Sequence, residues 1–257
     1  MISTYILLAV IGLAVGGVIN QLADVLPYRH KKMSDAACAA CGQPRPAIQA
    51  IAVVAYLTGK RACPACGRAI AVRNVIVELA TAGLFGLLYA QPRFAAEPVL
   101  LALACGHTAL LLLVTVTDFE HRLISNRAIL PAILIAALTA WLWFWRDYWY
   151  VAFIGGLIGY GFFWIAAALG GKFLGRGAMG GGDVKLAAYV GLITGFPGVI
   201  TALVVTILTG GLISLLLLLI RVVNLRSGIP YGPFIALGGF VTMVWGQQIV
   251  TRFFFGA

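Results

Sequence analysis

Two aspartates of this chain could do chemistry together, although they are far apart in the sequence. Asp183 follows the glycine turn Gly180-Gly181-Gly182, and Asp118 follows a long apolar run. The chain has only eight acidic residues. An ionisable group near hydrocarbon is costly unless it works, pairs with another group or lines a wet cavity. Asp118 and Asp183 are therefore where a prediction of function starts.

A pair of neighbouring carboxyl groups suits the hydrolysis of a peptide bond. The two groups cannot both ionise cheaply, so one keeps a proton near neutral pH while the other is charged. The charged group takes a proton from water as the water attacks the carbonyl, and the protonated group polarises that carbonyl. Gly180 and Gly182 are candidates for letting the chain bend and letting a substrate backbone come close. The residues predict an aspartic endopeptidase whose two acids titrate as a pair.

A purely structural role is the alternative for the same two residues. Each aspartate could cap a helix or pair with a nearby cation, Lys185 for Asp183 and Arg122 for Asp118. Gly-x-Gly-Asp is a weak pattern by itself. The residues alone leave this alternative open.

Four of the five cysteines form two Cys-x-x-Cys pairs, Cys38 with Cys41 and Cys63 with Cys66. A glycine follows each pair at once, which frees the backbone to turn around a metal. Four thiolates in this arrangement suit tetrahedral zinc, and closed sites of this kind are usually structural. Free or redox-active thiols are the alternative.

The rest of the chain predicts an all-α polytopic membrane protein, because 62% of its residues are hydrophobic and only 10% are charged. Apolar runs recur along the whole length. We expect about eight transmembrane helices, at residues 2–22, 75–91, 99–117, 128–145, 150–169, 184–198, 200–220 and 232–250. Close approach of one helix to another is expected at four glycines of the span 150–169, namely Gly155, Gly156, Gly159 and Gly161.

The net charge of +10 does not indicate nucleic-acid binding, because the basic residues sort by membrane side. If the first helix enters from outside, only Arg93, Arg146 and Arg252 fall on the external face. The positive-inside rule then makes the other face cytoplasmic and both termini external. It also places Asp118 and Asp183 at cytoplasmic helix ends, and it puts the cysteines in a reducing compartment that favours metal over disulfides.

Three domains are predicted from this pattern: a first transmembrane helix at 1–27, a cytoplasmic four-cysteine loop domain at 28–74, and a transmembrane peptidase bundle at 75–257. The loop domain is the one long polar insertion in the sequence. A fold that small usually needs a metal or disulfides, which agrees with the predicted zinc.

The chain resembles the type IV prepilin peptidase family, which are membrane aspartic proteases of the GxGD type. The resemblance covers nearly the whole length, with its motifs in order. They are Gly16-Gly17-Val18-Ile19-Asn20, Leu26-Pro27, the doubled Cys-x-x-Cys loop, Arg73-Asn74 with Glu78, the Asp118 segment, Gly180 to Leu186, and Pro230-Tyr231-Gly232-Pro233-Phe234. The chain departs from the family pattern at Asp24-Val25, where an Arg is common, and at Ala50-Ile51-Ala52, where Asn-Ile-Pro is expected.

The resemblance implies that Asp118 and Asp183 are the catalytic acids of a bacterial inner-membrane enzyme. The implied substrates are prepilins or pseudopilins in the lipid bilayer, which lose a short leader at the cytoplasmic face. Family members with the cysteine loop often also methylate the new N-terminus with S-adenosylmethionine, and Glu78 is a candidate for that activity. A carboxylate near a helix N-terminus is the structural alternative for Glu78.

Two rival functions use the same residues. A transporter would bind a cation or relay protons through the two aspartates. A non-enzymatic scaffold would keep only the zinc loop.

Overall fold

The computed structural model describes residues 2–28, 38, 41–44, 46–142, 148–173, 180–221 and 230–254. Ten α-helices account for most of these residues, and no named strand occurs among them. They are α1 (Ile2–Val25), α2 (Ala52–Leu57), α3 (Val72–Tyr89), α4 (Pro92–Ala96), α5 (Pro98–His121), α6 (Asn126–Leu138), α7 (Tyr150–Phe173), α8 (Gly181–Thr194), α9 (Gly198–Leu219) and α10 (Gly232–Phe254). Arg146 and residues 143–145 of the predicted fourth span lie outside the described residues.

Six helices of the described chain are long and apolar enough to cross a membrane: α1, α3, α5, α7, α9 and α10. This confirms a multi-pass helical membrane protein. The predicted count of eight is not confirmed, because α6 has 13 residues and α8 has 14. At 1.5 Å per residue, a helix needs roughly 17 residues or more to span the hydrocarbon.

The chain divides into two compact units, Met1–Leu113 and Val114–Ala257, with the division inside α5. The finer three-domain scheme stays a prediction. In the first unit α1 packs along α3, and the short α2 lies on α3 as well. A Cβ on Gly16 would come within 2.6 Å of the Glu78 Cα atom, so glycine at this position allows α1 and α3 to approach closely.

The second unit is built around α8, which contacts α6, α7, α9 and α10. Most of its residues from Val184 onward are buried. Gly155 of α7 and Gly191 of α8 meet at the crossing, where a Cβ on either would strike the backbone of the other helix. The predicted close approach is thus confirmed at Gly155, whereas Gly161 has open space beside it. Because protein surrounds α8, it has little need of the length or hydropathy of a lipid-facing span.

Candidate active site and metal centre

Asp118 lies in the last turn of α5 and is only 5% exposed. The sequence predicted that the helix would end at residue 117, and this was wrong, since α5 continues to His121. The difference matters because a residue inside the last turn points its side chain back along the helix and into the unit. The carboxylate of Asp118 is therefore held within the protein and not in a loop.

The backbone at the start of α10 holds the Asp118 carboxylate. The Gly232 N–H donates a hydrogen bond to Asp118 Oδ2 over 2.9 Å. Gly232 is the first residue of α10, where helical N–H groups have no partner within the helix. A Cβ on residue 232 would lie 2.7 Å from the same oxygen. The contact needs glycine at this position.

Asp183 is the third residue of α8, a helix that is not among the six spanning ones. Burial raises the pKa of Asp183 to about 6, the charge of Asp118 adds to the rise, and a hydrogen bond from the Gly180 backbone opposes it. The electrostatic effect of Asp118 requires the two carboxyl groups to be near each other. The structure thus brings together two acids that are distant in sequence.

Gly180 and Gly182 differ in what surrounds them. Gly180 precedes α8 with a φ of −73°, a value open to any residue, so backbone freedom is not what favours glycine there. Its ideal Cβ would lie 3.3 Å from Asp183 Oδ2. A Cβ on Gly182 would lie 2.8 Å from the Cβ of Ile124, whereas one on Gly181 meets nothing within 4 Å. Space beside the carboxylate and beside Ile124 is what the two outer glycines provide.

Lys185 does not neutralise Asp183. Its ammonium donates to Asn126 Oδ1 over 2.7 Å, which connects α8 to the start of α6. The ion pair between Asp183 and Lys185 that the sequence left open is therefore not formed. The other structural alternative, a capping role, is present in part. The Asp183 carboxylate accepts a hydrogen bond from the backbone of Gly180, the residue that precedes its own helix.

Tyr231 is a third residue near the pair, and sequence analysis named it only within a motif. Burial raises the pKa of Tyr231, and the charge of Asp183 adds to the rise. Its ring lies 6.0 Å from that of Phe163 and 5.7 Å from that of Phe234. A Cβ on Gly210 would come within 3.0 Å of the Tyr231 hydroxyl. The position of Tyr231 directly before Gly232 was the signal that could have found it.

The two cysteine knuckles of the first unit have the same backbone geometry. Cys38 N–H donates to Gln43 O over 2.8 Å, and Cys63 N–H donates to Arg68 O over 2.9 Å. In each knuckle the glycine after the second cysteine donates to the first cysteine's carbonyl, Gly42 to Cys38 over 2.9 Å and Gly67 to Cys63 over 2.8 Å. The φ angles of +70° and +73° at these glycines lie in the left-handed region that other residues rarely adopt.

The sulfur atoms of the four cysteines form one cluster. Cys38 Sγ lies 3.6 Å from Cys66 Sγ, and Cys41 Sγ lies 3.7 Å from Cys63 Sγ. All four atoms fall within 4.8 Å of one another. A tetrahedral zinc with bonds of about 2.3 Å places its sulfurs about 3.8 Å apart, whereas a disulfide needs about 2.05 Å. The cluster fits a metal such as zinc and is not a pair of disulfides.

Glu78 contacts α2, the short helix that lies between the two cysteine knuckles in the sequence. It is 1% exposed, and its two carboxylate oxygens accept hydrogen bonds from the N–H groups of Ala52 at 2.6 Å and Val53 at 2.8 Å. These are the first two N–H groups of α2, which its preceding residue, Ile51, leaves without a side-chain cap. Glu78 of α3 thus caps a helix from outside it.

Two further polar contacts connect the same segments of the first unit. Asn20 Nδ2 donates to Asn74 O over 3.0 Å, and Arg73 Nη2 lies 2.9 Å from Asp24 Oδ1. The Asp24 side chain is 47% exposed, so this ion pair adds little stability. The departure from the family pattern at Asp24 therefore has a local partner in Arg73.

Comparisons with known proteins agree with this arrangement. The Type IV leader peptidase family matches residues 105–215, and the Bacterial Peptidase A24 N-terminal domain matches residues 10–92. A Prepilin leader peptidase/N-methyltransferase of Bacillus subtilis (strain 168) is 30% identical over 217 residues, covering 83% of each chain. Proteins of the same name from Dichelobacter nodosus and Pseudomonas aeruginosa are also similar. The first is 30% identical, covering 82% of this chain and 71% of its own, and the second is 28% identical, covering 86% and 75%.

No solved structure matches this chain. The assignment to a family therefore depends on the sequence matches, which together cover both the cysteine loop and the two aspartates. One relative at 30% identity extends over most of this chain and of its own. This chain belongs to the type IV leader peptidase family.

Proposed function

We propose that this protein is a bacterial inner-membrane aspartic endopeptidase that removes the short leader of type IV prepilins or pseudopilins, with Asp118 and Asp183 as its catalytic acids. The observation that carries the proposal is that one buried and one half-buried carboxyl group lie in one compact unit, near enough for the charge of Asp118 to raise the pKa of Asp183. The names of the relatives support prepilins as the substrate class.

The two acids would divide the work of hydrolysis. Asp183, whose pKa is raised to about 6, would hold the proton and give it to the carbonyl oxygen. Asp118, fixed by the Gly232 N–H, would take a proton from the attacking water and later give that proton to the leaving amine. As the tetrahedral diol collapses with cleavage of the carbon–nitrogen bond, Asp183 would take back a proton from one of the diol hydroxyls. Both acids would then be in their starting states.

The acids would face the cytoplasm, with both termini of the chain external. This orientation follows from the distribution of basic residues and the positive-inside rule. A transporter that used the same acids fits less well, because transport sites usually lie near the midplane of the bilayer. Asp118 instead lies in the last turn of a spanning helix.

We further propose that Cys38, Cys41, Cys63 and Cys66 hold a structural zinc and that the enzyme methylates the mature N-terminus. Zinc would supply no chemistry of its own there, since four thiolates leave no open position. S-adenosylmethionine would supply the methyl group. The contacts of Glu78 with α2 support a positioning role, since both of its oxygens already accept hydrogen bonds from backbone N–H groups.

The test is cleavage of a peptide that spans a prepilin leader and the start of its hydrophobic helix, read by mass spectrometry of the mature N-terminus. We expect Asp118→Asn and Asp183→Asn each to lower kcat/KM by about a thousandfold, within the range of general acid–base catalysis. Asp24→Asn is the matched control, because Asp24 is half exposed and lies in the other unit. Full activity of either catalytic-site variant would refute the proposal.

The same spectra report methylation, since wild type given S-adenosylmethionine should yield a mature N-terminus that is 14 Da heavier (about one methyl group in place of hydrogen). Cleavage without this mass increase would leave the peptidase proposal standing and remove the methyltransferase proposal.

A further inference from the structure

An apolar groove of about 360 Å³ opens within the first unit, and none of its lining residues belongs to the aspartate pair or to the cysteine cluster. Its walls come from three spanning helices: Leu8 and Val15 of α1, Phe85 of α3, and Pro98 and Ala109 of α5. Nearly all of its exposed lining is apolar. An apolar groove between spanning helices takes up hydrocarbon more readily than water.

The length of the groove matches one leaflet. Pro98 and Ala109 are eleven residues apart in α5, which at 1.5 Å per residue is about 16 Å. Half of a hydrocarbon core of about 30 Å is about 15 Å. The groove therefore begins at the N-terminal end of α5, at Pro98, and reaches about the middle of the bilayer.

The volume of the groove fits a hydrocarbon chain better than a helix. A helix of about 10 Å diameter over the same length would occupy on the order of 1,250 Å³. This is larger than all of the empty space in the groove, about 710 Å³. A single acyl chain is the smaller apolar occupant that a bilayer supplies along its whole length.

A cation lies at the same end of these helices. Arg93 belongs to α4, the short helix between the end of α3 and Pro98, the first residue of α5. Arg93 and Pro98 are five positions apart in the sequence, so their Cα atoms lie within about 17 Å of each other. Both neighbouring helices leave the bilayer here, which places Arg93 at the level of the lipid headgroups.

The guanidinium of Arg93 has no anionic partner among the residues that the structure describes. In the described part of the chain, its Nε and Nη2 atoms are buried and have no hydrogen-bond partner. Its Cζ atom lies 4.3 Å from the ring centroid of Phe94, which is itself fully buried. Burial lowers the pKa of Arg93 to about 10, so the group is charged at neutral pH. Buried guanidinium groups normally pair with carboxylates or phosphates.

We propose that the first unit binds one phospholipid, with an acyl chain in the groove and the headgroup phosphate on Arg93. The phosphate would neutralise the charge of the Arg93 guanidinium, and the chain would fill space that the helices leave open. The site is separate from the proposed peptidase chemistry, so the proposal does not depend on it.

Gly106 provides a way to close the groove without disturbing the fold. It lines the groove, and a Cβ built on it meets nothing within 4 Å. Gly106→Leu should therefore fill the space that the acyl chain would occupy. Gly83→Leu is the matched control, because Gly83 is exposed on α3 with nothing within 4 Å and does not line the groove.

The experiment is native mass spectrometry of the full-length protein, purified in detergent and titrated with dioleoylphosphatidylglycerol. We expect wild type to retain one lipid, and Arg93→Gln and Gly106→Leu each to weaken binding at least tenfold. Arg93→Lys should restore part of the binding, because the charge is kept. Arg252→Gln in the second unit and Gly83→Leu should bind as wild type does.

Two results would overturn the proposal. One is wild-type lipid binding by both Arg93→Gln and Gly106→Leu, with gel filtration showing that both are folded. The other result has two parts: inorganic phosphate binds in a way that depends on Arg93, and Gly106→Leu binds lipid as wild type does. Together these would mean that Arg93 forms a simple anion site and that the groove holds no acyl chain. Loss of binding in the control variants as well would show non-specific adsorption and would count against the site.

Discussion

The cysteine cluster and the aspartate pair are positioned by different means. The four cysteines lie on loops, two of them exposed, and each knuckle is shaped by hydrogen bonds within a few residues. The two aspartates lie in separate helices, and Asp118 is held by backbone that follows it by more than a hundred residues. One site is a product of local sequence, and the other exists only when the helices of the second unit pack.

The difference has an energetic side. A bound metal would stabilise the thiolate cluster, so that site contributes to folding when it is loaded. The aspartates are shielded from water, Arg122 contributes positive charge near Asp118 only, and burial raises the pKa of Asp183. A raised carboxyl pKa means that folding is favoured while the group is protonated and loses that contribution as pH rises through about 6. The proposed catalytic site is thus maintained at a cost to stability near neutral pH.

After replacement of the acids themselves, the largest expected effect comes from disturbing the backbone that holds Asp118. Gly232→Ala places a Cβ 2.7 Å from Asp118 Oδ2 and should displace the carboxylate. We expect kcat/KM for leader cleavage to fall about a hundredfold, since a shift of about 1 Å in a catalytic group costs that much. Gly181→Ala, with open space at its Cβ, should cleave as wild type does. Equal activity of the two variants would show that this contact does not position the acid.

A smaller effect is expected at the carboxylate that caps α2. Glu78→Gln replaces an acceptor oxygen with an amide NH2 group beside a backbone N–H, which should destabilise the first unit by about 2 kcal/mol. Thermal unfolding of the metal-loaded protein measures this change. Glu97→Gln, at an exposed position after α4, is the control. An unchanged melting temperature for Glu78→Gln would contradict the capping role.

The pH dependence of cleavage should report the second unit alone. Asp183 is protonated below its pKa of about 6, which is the form that the proposed general acid needs, and it loses the proton as pH rises. We expect kcat/KM of wild type to fall about tenfold per pH unit on the alkaline side of that value. The profile of Cys63→Ser should have the same alkaline limb. A profile that is flat from about pH 5 to pH 8 would argue against Asp183 as the acid.

The smallest effect on cleavage is expected from loss of the metal. Cys63→Ser removes one of the four clustered sulfurs, so we expect the zinc measured per chain to fall from about one to near zero. Cleavage should change by less than about threefold, because the aspartates belong to the other unit. Cys105→Ser is the matched control, since Cys105 lies in α5 outside the cluster. A loss of cleavage as large as that of Gly232→Ala would mean that the two sites are coupled.

The sequence predicted some of these features well because they depend on short spacings. The two Cys-x-x-Cys pairs and their glycines predicted a metal cluster, and the sulfur distances agree with it. The class of fold followed from hydropathy. The contact of Gly232 with Asp118 could not be predicted in this way, because nothing local indicates which helix end will meet Asp118. Once that contact is known, the sequence position of Tyr231 directly before Gly232 indicates that it lies near the pair.

The errors have physical causes as well. The end of α5 was placed four residues too early, because Asp118, Glu120 and His121 look polar enough to be loop. These residues are nevertheless helical, because the last turn of a spanning helix lies at the membrane–water interface, where apolar side chains are not required. The count of eight spans treated α8 as a lipid-facing helix, whereas its surroundings are protein. Hydropathy measures suitability for lipid and cannot identify a helix that neighbouring helices enclose.

The shortness of α8 has a consequence for how a reaction that consumes water can take place here. Its 14 residues extend about 21 Å, which is roughly 9 Å less than the hydrocarbon thickness of a typical bilayer. Because neighbouring helices and not lipid surround α8, the missing length leaves room for a recess within the protein at an end of this helix. With Asp183 in its first turn, we expect the carboxyl group to lie at the base of such a recess, where water from the aqueous phase can reach it without a channel.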